Sequence, residues 1–518
     1  MIEIKKLAKT VIAVTAFSCV ERALGFAYRI FLSRGIGAEG LGLYQIALSV
    51  IGALMTVSAS GIPITVSRLM IKERSLKNEN GELSCVSAGM TATAAVCLPI
   101  VIALFCLNDK LEFLFADERS VSLFFIILPG VFFTSIYAVI RGFFWGKKYF
   151  YTYSLIELFE EAVMMIAGII LVLAKTTVYE KAKAAALAVL ISYAFSFTVS
   201  IITFFSRGGK LKNPLPELKP LIISSAPITL MRTATSLGGF LIALILPAVL
   251  IKGGVPKSEA IANFGVISGM TMPLLFMPST IIGSISLVLV PELAENFYKK
   301  QSASLRANVE KALLYSAIIS LFIIPVFCAC GKYIGRFVYG NELSGVYLMF
   351  AAPTMLPMSI TMISNSLLNS MGMERKTLLY FLIGGAFLIA SILFLPPYIG
   401  NYALILGYLL SFVITAVLNI RLLQKICCKK LDFINKLIKS VAVCPFAGAI
   451  CYFTYNSLSK IIPEFFAFSA GAGVAVVCYY LTICALNVID YKSFLFKFKK
   501  PERKKARPAK KQTAKQKL

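Results

Sequence analysis

Three arginines and four glutamates stand where an otherwise apolar chain has little reason to keep charge. Glu21 and Arg22 fall near the middle of the first apolar run, and Arg29 follows seven residues after Arg22. On an α-helix seven residues is about two turns, so the two guanidinium groups share a face, with Gly25 between them leaving room. Glu157, Glu160 and Glu161 crowd one face of another run at spacing i, i+3, i+4. Arg232 lies inside a third run, in APITLMRTATS. A charge near the bilayer centre costs at least about 2.5–3.5 kcal/mol, so it needs a partner or a wet cavity. Three carboxylates together in low dielectric also require one to be protonated or paired with a cation. Two arrangements satisfy these groups. One is dry pairing between neighbouring helices, such as Arg232 with Glu160 or Glu161. The other is a central cavity lined by Arg22, Arg29 and Arg232 and partly balanced by Glu21 and the three clustered acids. Net positive charge there would suit phosphate or pyrophosphate, whose oxygens match a guanidinium fork. The recurrence of such charges along the chain favours the cavity. Glu157 alone can also sit in the inner headgroup region, where it needs no partner.

Only membrane helices can place such groups together in this composition. The 518 residues are 58% hydrophobic and 15% charged, with a mean hydropathy of +0.81; soluble proteins carry about 25% charged residues. Apolar runs long enough to span a bilayer fall at roughly 10–31, 42–67, 86–107, 121–140, 152–173, 184–205, 221–250, 261–290, 312–330, 343–365, 377–395, 399–420, 440–458 and 466–487. This predicts an all-α polytopic membrane protein of about fourteen transmembrane helices. No small-residue cleavage site follows the first run, whereas Arg29 and Arg34 do, so it is not a signal peptide. Counted from an inside start, Lys and Arg concentrate in the inner segments, which places the protein in the plasma membrane with both termini cytoplasmic.

The net charge of +27 does not imply nucleic acid. Much of it lies in the tail from Lys492 onward, which has a single acid, Glu502, and no aromatic interleaving beyond Phe494, Phe496 and Phe498. Such a tail is expected to be disordered and to bind anionic inner-leaflet lipid, at about 1 kcal/mol per basic residue near the surface. The twelve cysteines mostly lie inside apolar runs, no paired CxxC motifs occur and histidine is absent, so neither a zinc site nor a histidine base is expected. There is no GxxxxGK[ST] for nucleotide phosphates. The sequence predicts no enzyme, no cofactor and no metal.

An internal repeat organises the runs. Pro63 of the second run and Pro291 of the eighth are 228 positions apart, Gly146 and Gly372 are 226 apart, and Gly25-Phe26 and Gly239-Phe240 are 214 apart. These offsets predict two six-helix lobes, roughly 1–210 and 211–430, then two further helices over 431–490 and the tail 491–518. Because six is even, the lobes are parallel repeats about an axis along the membrane normal, with a substrate path near the midplane between them. Pro227, Pro247, Pro273, Pro278, Pro353 and Pro357 fall inside apolar runs, where freed carbonyls and bends can serve as hinges.

Several stretches resemble a known family: RALGFAYR (Arg22–Arg29), GAEGLGLY (Gly37–Tyr44), GIPITVSR (Gly61–Arg68), APITLMR (Ala226–Arg232), GVISGMTMPLLFMP (Gly265–Pro278) and the triplet Val290-Pro291-Glu292. In this order they are similar to the stage V sporulation protein B family, in the polysaccharide-exporter and MurJ-like branch of the MOP superfamily. The likeness covers about residues 5–430. It implies fourteen helices around an amphipathic cavity and flipping of an undecaprenyl-pyrophosphate-linked saccharide, lipid II or a polysaccharide repeat unit, for wall or spore-cortex synthesis. It also implies that Arg22 contacts the pyrophosphate and that the last two helices provide a groove for the lipid tail. Tyr28 stands where the family has another arginine. At the fifth run the family pattern of E-Q followed by an arginine is replaced here by Glu160, Glu161 and Met164, which departs from that pattern.

The mechanism implied is alternating access, driven by membrane potential, an ion gradient or product consumption, with Glu21, Glu157, Glu160 and Glu161 coupling an ion or balancing charge. Wall-synthesis enzymes are further expected partners. Two rival readings stay open. A MATE-type drug/cation antiporter would want an acidic cavity without paired arginines, and a scaffold for wall-synthesis enzymes would bind partners without flipping anything.

Overall fold

A computed structural model describes residues 2–107, 110, 115–280, 282, 283, 293, 297, 299, 302–427 and 432–488. It is helical throughout these residues, with no strand among them. The first half runs α1 (Ile2–Gly35), α2 (Gly37–Ala59), α3 (Ile62–Ser75), α4 (Glu79–Cys106), α5 (Glu118–Gly146), α6 (Phe150–Leu173) and α7 (Val178–Ser206). Next comes α8 (Leu215–Lys252), and α9 (Lys257–Phe264) passes through a π-helical stretch, Gly265–Thr271, into α10 (Met272–Phe276). The remainder is α11 (Ser302–Tyr339), α12 (Glu342–Ala351), α13 (Met355–Ser370), α14 (Glu374–Phe394), α15 (Pro396–Ile399), α16 (Tyr402–Ile426), α17 (Phe433–Leu458) and α18 (Glu464–Ala485). The triplet Val290-Pro291-Glu292 and the basic tail lie outside the described residues.

Among the described residues, twelve stretches are long and apolar enough to cross a membrane by length and composition. To these α1 and α6 add 34 and 24 residues, about 50 and 36 Å at the usual helical rise. These two are the helices that carry Glu21, Arg22 and the three clustered glutamates. The result is a multi-pass membrane protein of about fourteen crossings. Local chemistry sets the ends of several helices: Asn78, Asp117, Thr177 and Asn341 each accept a hydrogen bond from a backbone N–H of the helix they precede. Pro227 and Pro247 lie within α8, while Pro273 takes the second position of α10 directly after the π-helical stretch. Pro353 sits in the single 3₁₀ turn between α12 and α13.

Packing repeats between the halves. α1 packs on α6 and α6 on α7; correspondingly α8 packs on α14 and α14 on α16. α17 and α18 pack on each other and on α11. The largest buried cluster joins both halves, with Leu43 and Ile46 of α2 in one cluster with Ile261, Ile267 and Leu348. Two glycines make this approach possible. A Cβ on Gly265 would lie 2.2 Å from the Ala38 carbonyl and 2.6 Å from the Gly42 nitrogen, and one on Gly42 would lie 2.2 Å from the Ile261 carbonyl. Small residues of this kind let membrane helices meet backbone to backbone, where lipid supplies no hydrophobic drive for association. Gly265→Ala is therefore expected to destabilise the fold by about 1–3 kcal/mol or more, because the obstructing atoms are main chain and cannot rotate away. Thermal unfolding in detergent measures this; an unchanged transition would show that α2 and the π-helical stretch can separate freely.

Candidate functional site

A cavity of about 660 Å³ opens between the two halves. α1 contributes Arg22 and Arg29, α2 contributes Gln45 and Ser49, α6 contributes Glu160 and Glu161, and Gly239 and Tyr408 close the far wall. The seven-residue spacing on α1 puts both guanidinium groups on the cavity side. Arg22 is exposed and Arg29 half-buried. Among the described residues no carboxylate lies within ion-pair distance of either. Gly25, between them, faces α6: a Cβ there would lie 2.6 Å from Glu161 Oε1. The room that glycine leaves is thus filled by a glutamate side chain reaching toward α1.

A second chamber of about 330 Å³ adjoins the first, and Glu160 and Glu161 line both. Its other walls include Glu21, Glu157, Arg141 and Arg232. Arg141 Nη1 donates to Glu157 Oε1 at 2.8 Å, and its guanidinium lies 5.3 Å from the ring centroid of Trp145 and 5.9 Å from that of Tyr137. This pair answers the question of how three clustered glutamates coexist: the first of them has a cation of its own. Tyr137 Oη and Arg141 Nε are buried with no hydrogen-bond partner among the described residues, two donors left unsatisfied beside the chamber.

Arg232 is placed apart from Arg22 and Arg29. It lines the second chamber, and its Nη1 donates to the Ser60 carbonyl at 3.3 Å, so it reads the α2–α3 junction rather than pairing with Glu160 or Glu161. Beside it the Gly61 N–H donates to Thr229 Oγ1 at 3.2 Å. Tyr28 is buried against Gly168 of α6, stacks on Phe31 and contributes to the cavity wall. The structure therefore brings Arg22, Arg29, Glu160 and Glu161 to one cavity, and Glu21, Glu157 and Arg232 to its neighbour. Arg141 is the charged residue that sequence reasoning missed. Ending the fourth run at 140 put it among the inner loop residues, whereas α5 continues to Gly146.

Electrostatically the two chambers set arginines of α1, α5 and α8 against the glutamates of α6 and Glu21 of α1. The larger one presents two guanidinium groups, without an ion pair among the described residues, beside tyrosines and apolar walls. Such a surface can bind an anion at one end of an amphiphile.

Residues 7–297 match the family described as polysaccharide biosynthesis protein. Stage V sporulation protein B of Bacillus subtilis (strain 168) is 25% identical over 504 residues, spanning 93% of this chain and 94% of that protein. Lipid II flippase MurJ of the same organism is 20% identical over 425 residues, spanning 73% of this chain and 75% of its own. Among solved structures, lipid II flippase MurJ in an inward closed conformation superposes with a TM-score of 0.70 at 14% identity, covering 93% of this chain and 99% of that one.

Proposed function

Since the chain belongs to the polysaccharide biosynthesis protein family, within the MOP superfamily, we propose that it is a membrane flippase for an undecaprenyl-pyrophosphate-linked saccharide, working by alternating access. The observation that carries this reading is the pair of cavity-facing arginines with no carboxylate at ion-pair distance among the described residues. Such a pair has charge to spare for an anionic headgroup, and two guanidinium forks suit a pyrophosphate. The adjoining chamber, lined by Thr134, Glu157 and Arg232 among others, has polar groups for saccharide hydroxyls. A drug/cation antiporter would want this surface reversed, with acids exposed and no free arginine.

The two lobes, 1–210 and 211–430, are the moving bodies in this proposal. With both termini cytoplasmic, the ends of α1 and α11 face outward. There Arg34 Nε donates to the Val338 carbonyl at 3.1 Å, its Nη2 donates to Phe337, and Thr271 Oγ1 donates to the Ser344 carbonyl at 3.0 Å. Together with the Gly42–Gly265 approach, these contacts clasp the outer side and leave the cavity to be loaded from within. Rocking breaks them and exposes the headgroup outside. The π-helical stretch and Pro273 lie where a helix must yield for that motion. Glu21, Glu157, Glu160 and Glu161 balance the arginines and supply the groups through which an ion gradient can act. The basic tail holds the inner face to anionic lipid.

Reconstitution tests the proposal. Proteoliposomes containing the purified full chain should move a fluorescent lipid II or a lipid-linked repeat unit between leaflets, and empty liposomes should not. Absence of flipping with either lipid, alongside retained capture of wall-synthesis enzymes, would replace the flippase with a scaffold. Efflux of a cationic dye lost in Glu160→Gln would replace it with an antiporter.

A further inference from the structure

Resting on that reading of the central cavity, we propose that the prenyl chain of the carried lipid enters through an apolar slot between α8, α14 and α16, and not through the groove between α11 and α17. The slot has a volume of about 420 Å³. Its outer lip is Leu237, Phe381 and Leu382, all exposed on the face that lipid would cover. Its inner end is Gly239, Ile242 and Tyr408, and these same three residues line the central cavity. The slot therefore abuts the chamber that holds Arg22 and Arg29, with these three residues as the wall between them. The hydroxyl of Thr235, within the slot, is already spent on the Arg232 carbonyl at 2.7 Å.

The alternative groove lies between α11 and α17, with about 540 Å³ lined by Pro325, Cys328, Pro445 and Gly448 among others. It shares no lining residue with the central cavity. A tail lying there would leave its pyrophosphate separated from the arginines by the body of α11. Adjacency to the cavity thus selects the slot.

The pairing of helices gives the slot a reason. α8–α14–α16 repeats the packing of α1–α6–α7, and Gly239-Phe240 corresponds to Gly25-Phe26. In the first trio the space beside the glycine holds Glu161 and is flanked by Arg22 and Arg29. In the second, Gly238, Gly239 and Gly385 face open space with no neighbour within 4 Å of an added Cβ. Equivalent positions are polar in one half and apolar and vacant in the other. That divided cavity matches a cargo with an anionic head and a hydrocarbon tail.

The test uses the full chain in phosphatidylglycerol-containing nanodiscs and undecaprenyl pyrophosphate carrying a diazirine in its tail. After illumination, labelled peptides should fall within 234–242, 381–389 and 408–412. Gly238→Phe and Gly385→Phe put bulk into open space, so they fold, and each should reduce slot labelling to background. Gly448→Phe, which fills the other groove, should leave labelling intact. Label mapping to 324–329 and 444–453, or slot labelling indifferent to both plugging variants, would overturn the proposal. The Arg22→Ala/Arg29→Ala double variant separates the two readings: slot labelling that persists in it removes the headgroup site while the slot stands.

Discussion

Replacing Arg22 with alanine is expected to abolish flipping in proteoliposomes and complementation of a flippase-depleted strain, while the protein still reaches the membrane in normal amount. A hydrogen bond to a charged group contributes about 1.5–3 kcal/mol, so losing one guanidinium from a pyrophosphate site weakens capture roughly 10- to 150-fold. Arg29→Ala should act similarly, and the double variant should fall further unless the first change already empties the site. Folding should be spared because neither side chain is within ion-pair distance of a carboxylate among the described residues. Arg22→Lys separates charge from shape: it keeps the cation and loses the fork, so partial activity is expected. Full activity in Arg22→Ala would remove the cavity from the mechanism. Loss in Arg22→Ala with full rescue in Arg22→Lys would leave charge alone as the requirement.

The membrane spans were legible because backbone polar groups in hydrocarbon leave only helices, and about twenty apolar residues are needed for each. The α1 arginines were legible for a related reason, since charge inside such a run is costly and therefore conspicuous. The motif stretches were visible as strings, but what they do was not. In the structure they meet one another: Gly61 of GIPITVSR receives Thr229 of APITLMR, and Gly42 of GAEGLGLY receives Gly265 of the stretch that begins GVISGMT. A close backbone approach between segments more than 160 residues apart leaves no periodicity in either one. The π-helical turn over Gly265–Thr271, which packs on α2, has no signature in its residue types either. Arg141 was lost to a boundary. Hydropathy ends the run where charge begins, yet α5 continues six residues past 140 and turns Arg141 toward α6. Arg232 shows the limit of charge matching, because its partner is a backbone carbonyl at a helix junction, a group that every residue carries.

Removing Arg141 should have the largest effect on stability of any single charge in the site. Its guanidinium is 30% exposed and its partner Glu157 is 22% exposed, at 2.8 Å. Breaking a fully buried pair by deleting one partner costs about 3–5 kcal/mol, and partial exposure lowers this to about 2 kcal/mol for Arg141→Ala. The loss is not only that of a pair. Glu157 would be left in a chamber already lined by Glu21, Glu160 and Glu161, with Arg232 committed to Ser60. Glu157→Gln is the milder change: it removes one of the like charges, and Arg141 keeps its contacts with Trp145 and Tyr137, so about 1 kcal/mol is expected. The double variant decides between pairing and packing. If charge balance is what Arg141 supplies, Arg141→Ala/Glu157→Gln should be more stable than Arg141→Ala, with a coupling of about 1–2 kcal/mol by thermal unfolding in nanodiscs. Strict additivity would mean that Arg141 acts through its aromatic neighbours alone, and that the acids of α6 settle their charge without it.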